Sequence, residues 1–266
     1  MRFFRNLASS IKSAGQRTAE TITEQETRYG PISFHCPSQT TRWRARTLLE
    51  KEPETIRWID EFDPGKVFWD VGANIGVYSL YAAKRGMIVC AFEPSPGNFY
   101  TLTRNVELNE LSQQISALCL AFDVKTRLDG FYQQSLEIGS ALHQFGSSTD
   151  WQGNPLPTAV RQAMLGFSID DYISIFQAPV PNYLKIDVDG IEDRIVQGAA
   201  RTLADSRLQS LLIELDTGKQ DAYRPTVDLI ESCGLELRVK AHEPDQRQGD
   251  FKYVINHIFC RRIAQP

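Results

Sequence analysis

Val67-Phe68-Trp69-Asp70-Val71-Gly72-Ala73-Asn74-Ile75-Gly76 is the stretch whose reading decides the fold. Its first half is an apolar run of branched and aromatic residues, which predicts a buried strand, and Asp63-Pro64-Gly65 punctuates the start. After Gly76 the period changes. Val77, Tyr78, Leu80, Tyr81, Ala82 and Ala83 recur at helical spacing, and Gly86 follows as a stop. Asp70 to Gly76 is therefore a strand-to-helix turn. Its glycines let a ligand approach the backbone closely, and the free amides of the helix N-terminus face that ligand.

Met87 to Phe92 predicts the next strand, ending in Glu93-Pro94. Glu93 stands at about the distance where a βαβ nucleotide fold places its ribose-binding acid. The competing reading is a buried βα turn with an ordinary surface acid, but the unbroken run of strand, glycine turn, helix, strand and acid favours a nucleotide. A dinucleotide site wants Gly-x-Gly-x-x-Gly for its pyrophosphate, whereas only Gly72 and Gly76 are present, and Asp70 would repel a pyrophosphate. S-adenosylmethionine carries no phosphate but an ammonium and a sulfonium. Asp70 suits that charge and Glu93 its ribose, with Gly72, Asn74 and Gly76 completing the cofactor loop.

Asp-Val-Gly-Ala-Asn-Ile-Gly at 70–76, Phe-Glu-Pro-Ser-Pro at 92–96 and Lys-Ile-Asp-Val-Asp-Gly-Ile-Glu at 185–192 resemble the blocks of the FkbM-type methyltransferases. The similarity runs in order from about Glu52 to the C-terminus, and the third block is the most specific. The resemblance implies an S-adenosylmethionine-dependent O-methyltransferase acting on a sugar, glycolipid, polysaccharide or polyketide hydroxyl. It also implies seven strands with the last one antiparallel.

A chain of 266 residues with a 42% hydrophobic share predicts one domain with an appendage and a substantial core. A net charge of −4 argues against nucleic acid as the main partner. Cys36, Cys90, Cys119, Cys233 and Cys260 are scattered and odd in number, with no Cys-x-x-Cys, so neither a zinc site nor a disulfide framework is suggested. With no run long enough to span a membrane, a reducing, cytoplasmic setting is expected. Residues 1–17 carry four basic side chains and no acid, with Phe3, Phe4, Leu7 and Ile11 on one side. Such a helix either touches an anionic membrane surface or packs on the domain or a partner subunit. The chain thus divides into an N-terminal helical extension over residues 1–50 and a methyltransferase domain over 51–266, with a short strand expected at Ile32–Cys36.

Further along, Glu52-Pro53-Glu54 reads as a helix start, and in the resembled family a Glu-Pro here lies near the cofactor. Ser95-Pro96 opens the next helix. Ile115–Phe122 is the third strand, and Asp123 after it is a candidate for the adenine amino group, the alternative being a turn residue. Residues 124–181 are too long for a plain connection and suggest extra strands at 130–132, 136–139 and 141–146. Such a β-rich insertion at the ligand-facing edge is where specificity would live. His143 within it reads as structural rather than as a base. Tyr183–Asp187 is the fourth strand, with Lys185, Asp187 and Asp189 on one side. Asp189-x-x-Glu192 has the spacing of a capping box, which leaves Asp187 as the unexplained acid. Asp187 is accordingly the first candidate for base, acceptor ligand or metal ligand, and Glu214 on the fifth strand is the second. His257 in the last strand reads as packed. The alternation of strands and helices gives an α/β, doubly wound, Rossmann-like sheet whose carboxyl edge gathers these residues. An NAD-dependent oxidoreductase and a non-catalytic cofactor-binding protein are the alternatives; the acceptor, the oligomeric state and the role of metal stay open.

Overall fold

The computed structural model describes residues 21–150, 152–240 and 249–262. The basic segment 1–17 lies outside them. The described chain opens with strands β1 (Ile22–Gln25) and β2 (Ile32–His35), which pair antiparallel, and helix α1 (Gln39–Arg46). Ser38 caps α1 reciprocally with Thr41, which satisfies the free amides of the first turn. The described part of the expected helical extension is therefore a hairpin followed by a helix. It is no separate appendage either: Ile32, Phe34, Ala45 and Leu48 are buried in one core with Ile59, Phe62 and Leu80.

Helix α2 (Pro53–Asp60) leads into β3 (Val67–Val71), α3 (Val77–Lys84), β4 (Ile88–Phe92), α4 (Pro96–Leu108) and β5 (Ile115–Leu118). The insertion supplies β6 (Ala121–Phe122), β7 (Arg127–Gln133), β8 (Gln144–Phe145), β9 (Val160–Phe167) and α5 (Ile169–Phe176). Then come β10 (Tyr183–Ile186), α6 (Glu192–Gln197), α7 (Ala200–Ala204), β11 (Ser210–Asp216), α8 (Gln220–Ser232), β12 (Leu235–Lys240) and β13 (Val254–Arg261).

Seven strands form the central sheet in the order β12-β13-β11-β10-β3-β4-β5. All pairings are parallel except those of β13, which runs antiparallel to both β11 and β12. The chain winds outward from β3 through β4 to β5, then returns to place β10 on the other flank of β3. That reversal is a topological switch point, and ligands of such sheets bind beside it at the carboxyl ends of the strands. Two cores cover the faces. Phe68, Leu80 and Leu102 belong to one; Trp69, Phe92, Phe122, Tyr172 and Leu211 belong to the other. Trp69 and Phe68 point to opposite faces because successive strand residues alternate.

The expected third strand breaks after Leu118, and its last part, β6, joins a second sheet of order β6-β9-β7-β8. The insertion is thus stitched directly onto the end of the third strand through β6 and β9. Strands appear in it at 127–133 and 144–145, but 136–139 is a loop rather than a strand. The reason lies in its backbone partners. Ser38 Oγ donates to Ile138 O at 2.6 Å, Arg44 Nε to Gly139 O at 2.7 Å, and Gly139 N to Asn98 Oδ1 at 2.7 Å. Side chains of α1 and α4 satisfy these groups, so no ladder is needed. Among the described residues no helix is long and apolar enough to cross a membrane.

Candidate functional site

The carboxyl ends of β3 and β4 and the loops of the insertion line a cleft. Glu93 stands on its wall, only 5% exposed. One carboxylate oxygen accepts from the amide of Asn74 and the other from that of Ser95, both at 2.8 Å. Glu93 thereby ties the glycine turn to the start of α4, and with the Asn98 side chain as a third donor it still keeps acceptor capacity. Burial pushes its carboxyl up to about 7, against the pull of those two amides. Phe92, Leu120, Phe122, Phe131 and Phe145 make the apolar side of the cleft.

The turn itself needs its glycine. Gly72 has φ +85°, and a Cβ there would sit 1.9 Å from the carbonyl oxygen of Asp187. Asn74 also lies in the left-handed region, at φ 50°, where asparagine is one of the few residues tolerated. Its side chain donates to Ser140 O at 3.0 Å, and Asn98 donates to the same oxygen at 3.1 Å. Two helix-side residues thus hold one point of the insertion over the cleft.

Asp70 is not on that wall. It shares a strand face with Phe68, so it points under the turn, where Ser79 Oγ donates to it at 2.6 Å and Lys185 Nζ lies 3.8 Å away. At 1% exposure its carboxylate anchors α3 and faces a buried ammonium. Gly76 likewise turns the chain into α3 against Leu102 and does not line the cleft. Asp123 is also withheld. Its carboxylate is fully buried between Arg194 Nη2 at 2.6 Å and Arg127 Nε at 2.9 Å, pinning the insertion to α6. Because β5 ends early, Leu120, Ala121 and Phe122 occupy the wall where an acid was expected.

Beside Gly72 and Asn74 lies a smaller polar recess lined by Arg44, Lys51, Tyr78, Lys185 and Asp187. Lys185 is 1% exposed, donates to Asp187 Oδ2 at 2.7 Å, and sits 5.2 Å from the Tyr78 ring centre. Burial disfavours its ammonium, but Asp187, Asp70 and Glu52 outweigh that and raise its pKa above the ordinary value. Glu52 is more than a helix start. It is buried, pairs with Lys51, and meets Thr55 Oγ1 at 3.3 Å and Asn256 Nδ2 at 3.5 Å.

A third cavity opens on the far side of Val188 and Asp189, walled by those two residues and by Glu192, Glu214 and Tyr223. Asp189 does not cap a helix. Helix α6 begins only at Glu192, and Asp189 Oδ2 accepts from the amides of Leu142 at 2.6 Å and His143 at 3.1 Å. Tertiary amides outcompete the local cap. Burial, then repulsion from Asp187, pushes Asp189 up to about 6. Burial, with repulsion from Glu214 and Asp189, raises Glu192 well above the carboxylate range. His143 accepts from Gln134 N at 3.3 Å, and burial lowers it to about 4, so its imidazole is neutral at pH 7 and structural. His257 is packed between Tyr223 and Ile255.

The structure therefore gathers Gly72, Asn74 and Glu93 in one cleft, Asp187 in the adjoining recess and Glu214 in the next cavity. Lys185, Tyr78, Arg44, Asn98 and Ser140 were not candidates from the sequence. Lys185 had a signal, a charge inside an apolar strand; Asn98 and Ser140 had none. Among the described residues no three His, Cys, Asp or Glu are placed to hold a metal ion.

A family model described as the methyltransferase FkbM domain matches residues 70–237. Hexuronic acid methyltransferase AglP of Haloferax volcanii is 23% identical over 177 residues, covering 66% of each chain. Methyltransferase 1 of Beauveria bassiana is 28% identical over 195 residues, 69% of this chain and 76% of that one. Among solved structures, an FkbM methyltransferase from Methylobacillus flagellatus superposes with a TM-score of 0.51 at 19% identity, covering 75% of this chain and 44% of that chain. This chain thus spans just under two thirds of the archaeal relative and less than half of the solved one.

Proposed function

The chain belongs to the FkbM methyltransferase family, and from that premise we propose that it binds S-adenosylmethionine and methylates a hydroxyl oxygen of a sugar or glycan. The observation that carries the cofactor reading is Glu93, a buried carboxylate with spare acceptor capacity between the glycine turn and an aromatic wall. The donor set fits the three chemical parts of this cofactor. Glu93 suits vicinal ribose hydroxyls, and the phenylalanine side of the cleft suits an adenine. The adjoining recess suits an amino-acid end, with Arg44 and Lys51 for a carboxylate and Asp187 for an ammonium. When bound, the cofactor supplies a methyl group on a cationic sulfur. NAD suits this site less well, because the turn carries only Gly72 and Gly76 where a pyrophosphate wants Gly-x-Gly-x-x-Gly.

The acceptor belongs in the cavity across Val188 and Asp189. Methyl transfer to oxygen is an in-line displacement, so positioning supplies much of the rate. A neutral hydroxyl is a weak nucleophile, and a carboxylate at its side takes the proton as the new bond forms. Glu214 on that cavity's wall is assigned this role. Asp187, held by Lys185, is assigned to orient the cofactor. AglP, named for a hexuronic acid, supports a sugar as the acceptor class. The net charge of −4 supports an acceptor other than nucleic acid.

The test pairs binding with transfer. Calorimetry should show binding of S-adenosylhomocysteine and none of NAD. Labelled S-adenosylmethionine should then mark glycan fractions of cell extracts at oxygen. NAD binding, or label found on nitrogen or carbon, would refute the proposal.

A further inference from the structure

The wall of the acceptor cavity holds a tyrosine that the chemistry above does not use. Tyr223, near the start of α8, lines that cavity, as does Glu214. Its phenol oxygen lies 3.2 Å from His257 Nε2, and the two ring centres are 5.4 Å apart. His257 belongs to β13 and is fully buried. Its other ring nitrogen, Nδ1, lies 3.0 Å from the carbonyl oxygen of Ile255. A carbonyl oxygen can only accept, so Nδ1 carries the hydrogen. In the neutral imidazole Nε2 is then bare, and toward Tyr223 it can only accept. Charging the ring is disfavoured by its burial, and by Lys240 Nζ, which lies 5.3 Å from the Tyr223 ring centre. Tyr223 is therefore the donor in this bond. Its single hydrogen points into the protein, and the lone pairs of its oxygen are left for a ligand.

From this arrangement we infer that Tyr223 accepts a hydrogen bond from a second hydroxyl of the acceptor, and that His257 is the positioning residue that turns the phenol to receive it. The inference rests on the reading of this cavity as the acceptor site. The hydroxyl that is methylated gives its proton to Glu214, so it has none for Tyr223. The partner of the phenol is then a different donor on the same sugar. A sugar with an ether at that second position, or with no oxygen there, brings no hydrogen and leaves the phenol oxygen unmet. The specificity that follows is for acceptors with at least two free hydroxyls. A sugar already methylated at the second position is a poor acceptor.

The experiment has two parts, and the first needs no acceptor. Nitrogen NMR of the whole protein labelled in its histidine rings, with His257 assigned through His257→Gln, should show a neutral ring with its hydrogen on Nδ1 at pH 7. Hydrogen on Nε2, or on both nitrogens, overturns the inference. The second part uses the glycan fraction that wild type labels from S-adenosylmethionine. Tyr223→Phe keeps the ring and removes the oxygen. Its KM for that fraction should rise about tenfold with kcat within about twofold of wild type, as expected for one hydrogen bond made equally in ground and transition states. His257→Leu should raise KM similarly. His257→Gln can set a carbonyl oxygen where Nε2 stands, and it should restore most of the loss. All three variants should bind S-adenosylhomocysteine as wild type does. A wild-type KM in Tyr223→Phe overturns the inference and leaves the methyl-transfer reading standing. His257→Gln no better than His257→Leu overturns the positioning role of the histidine. If wild type binds S-adenosylhomocysteine but labels no glycan fraction, the sugar reading falls and the inference falls with it. Failure of S-adenosylhomocysteine itself to bind sinks the cofactor reading on which the rest stands.

Discussion

Glu93 should make cofactor affinity depend on pH, and the size of the effect follows from its surroundings. Its carboxyl titrates at about 7 instead of 4.5 because it is buried, even with two amides bonded to it. In the unfolded chain the proton leaves near 4.5, so between those values the native state holds more protons than the unfolded one. Stability from this group is therefore present at low pH and lost as pH rises from about 4.5 to 7, by about 3 kcal/mol in full. A ribose diol donating two hydrogen bonds takes the ionised form, which is scarce below pH 7. Affinity should rise about tenfold from pH 6 to pH 8 and level off above, with about half a proton released on binding at pH 7. Calorimetry with S-adenosylhomocysteine in two buffers of different ionisation enthalpy reads both quantities. Glu93→Gln should abolish the slope and weaken binding at pH 8 by about 1.5–3 kcal/mol, the worth of a charge-assisted hydrogen bond. A wild-type affinity that is flat across this range would refute the reasoning. So would a slope that survives in Glu93→Gln, because the titrating group would then be another, with Asp189 the next to suspect.

Four further variants can be measured on the same protein. Lys185→Met leaves Asp70 and Asp187 facing one another without their ammonium, and thermal denaturation should show a loss of about 3–5 kcal/mol. Asp187→Asn should cost less, since Lys185 keeps Asp70 at 3.8 Å, while S-adenosylhomocysteine binding falls by about 1.5–3 kcal/mol; equal stability of Lys185→Met and wild type would dismiss the buried charge group. Asp123→Asn should lower stability through Arg127 and Arg194 yet leave cofactor affinity within about twofold, and a tenfold affinity loss at unchanged stability would return Asp123 to the cofactor site. Glu214→Gln should keep cofactor affinity and slow transfer by about 10²-fold, and wild-type turnover in that variant would remove it as the base.

The architecture was legible because its signals are local. The change from an apolar run to helical spacing across Gly76, and the acid closing the next strand, need no knowledge of distant residues. What a sequence does not display is which side of a strand a carboxylate faces once the neighbours are in place. Asp70 illustrates this. A cation was expected beside it and one is there, but the cation is Lys185 of the same chain, paired in register across β3 and β10. A lone acid in a buried strand and a lone lysine in another strand are each unfavourable, and each is the signal for the other. Read together, they account for each other through the pairing of β3 with β10.

The walls of the site were hidden for a different reason. Local spacing assigned Asp189 to a capping box and Asp123 to the end of a strand, and in both places a partner far along the chain won. Asp189 holds amides 46 and 47 residues away, Asp123 holds Arg194 across 71 residues, and Ser140 receives Asn74 across 66. These contacts all join the insertion to the glycine turn, to α4 or to the segment after β10. The insertion is thus fastened at the same points that shape the cofactor cleft and the acceptor cavity, and Asp189 is common to both walls. A change in the insertion that alters acceptor choice should therefore also be felt in cofactor affinity, because one carboxylate carries the amides of Leu142 and His143 and separates the two cavities.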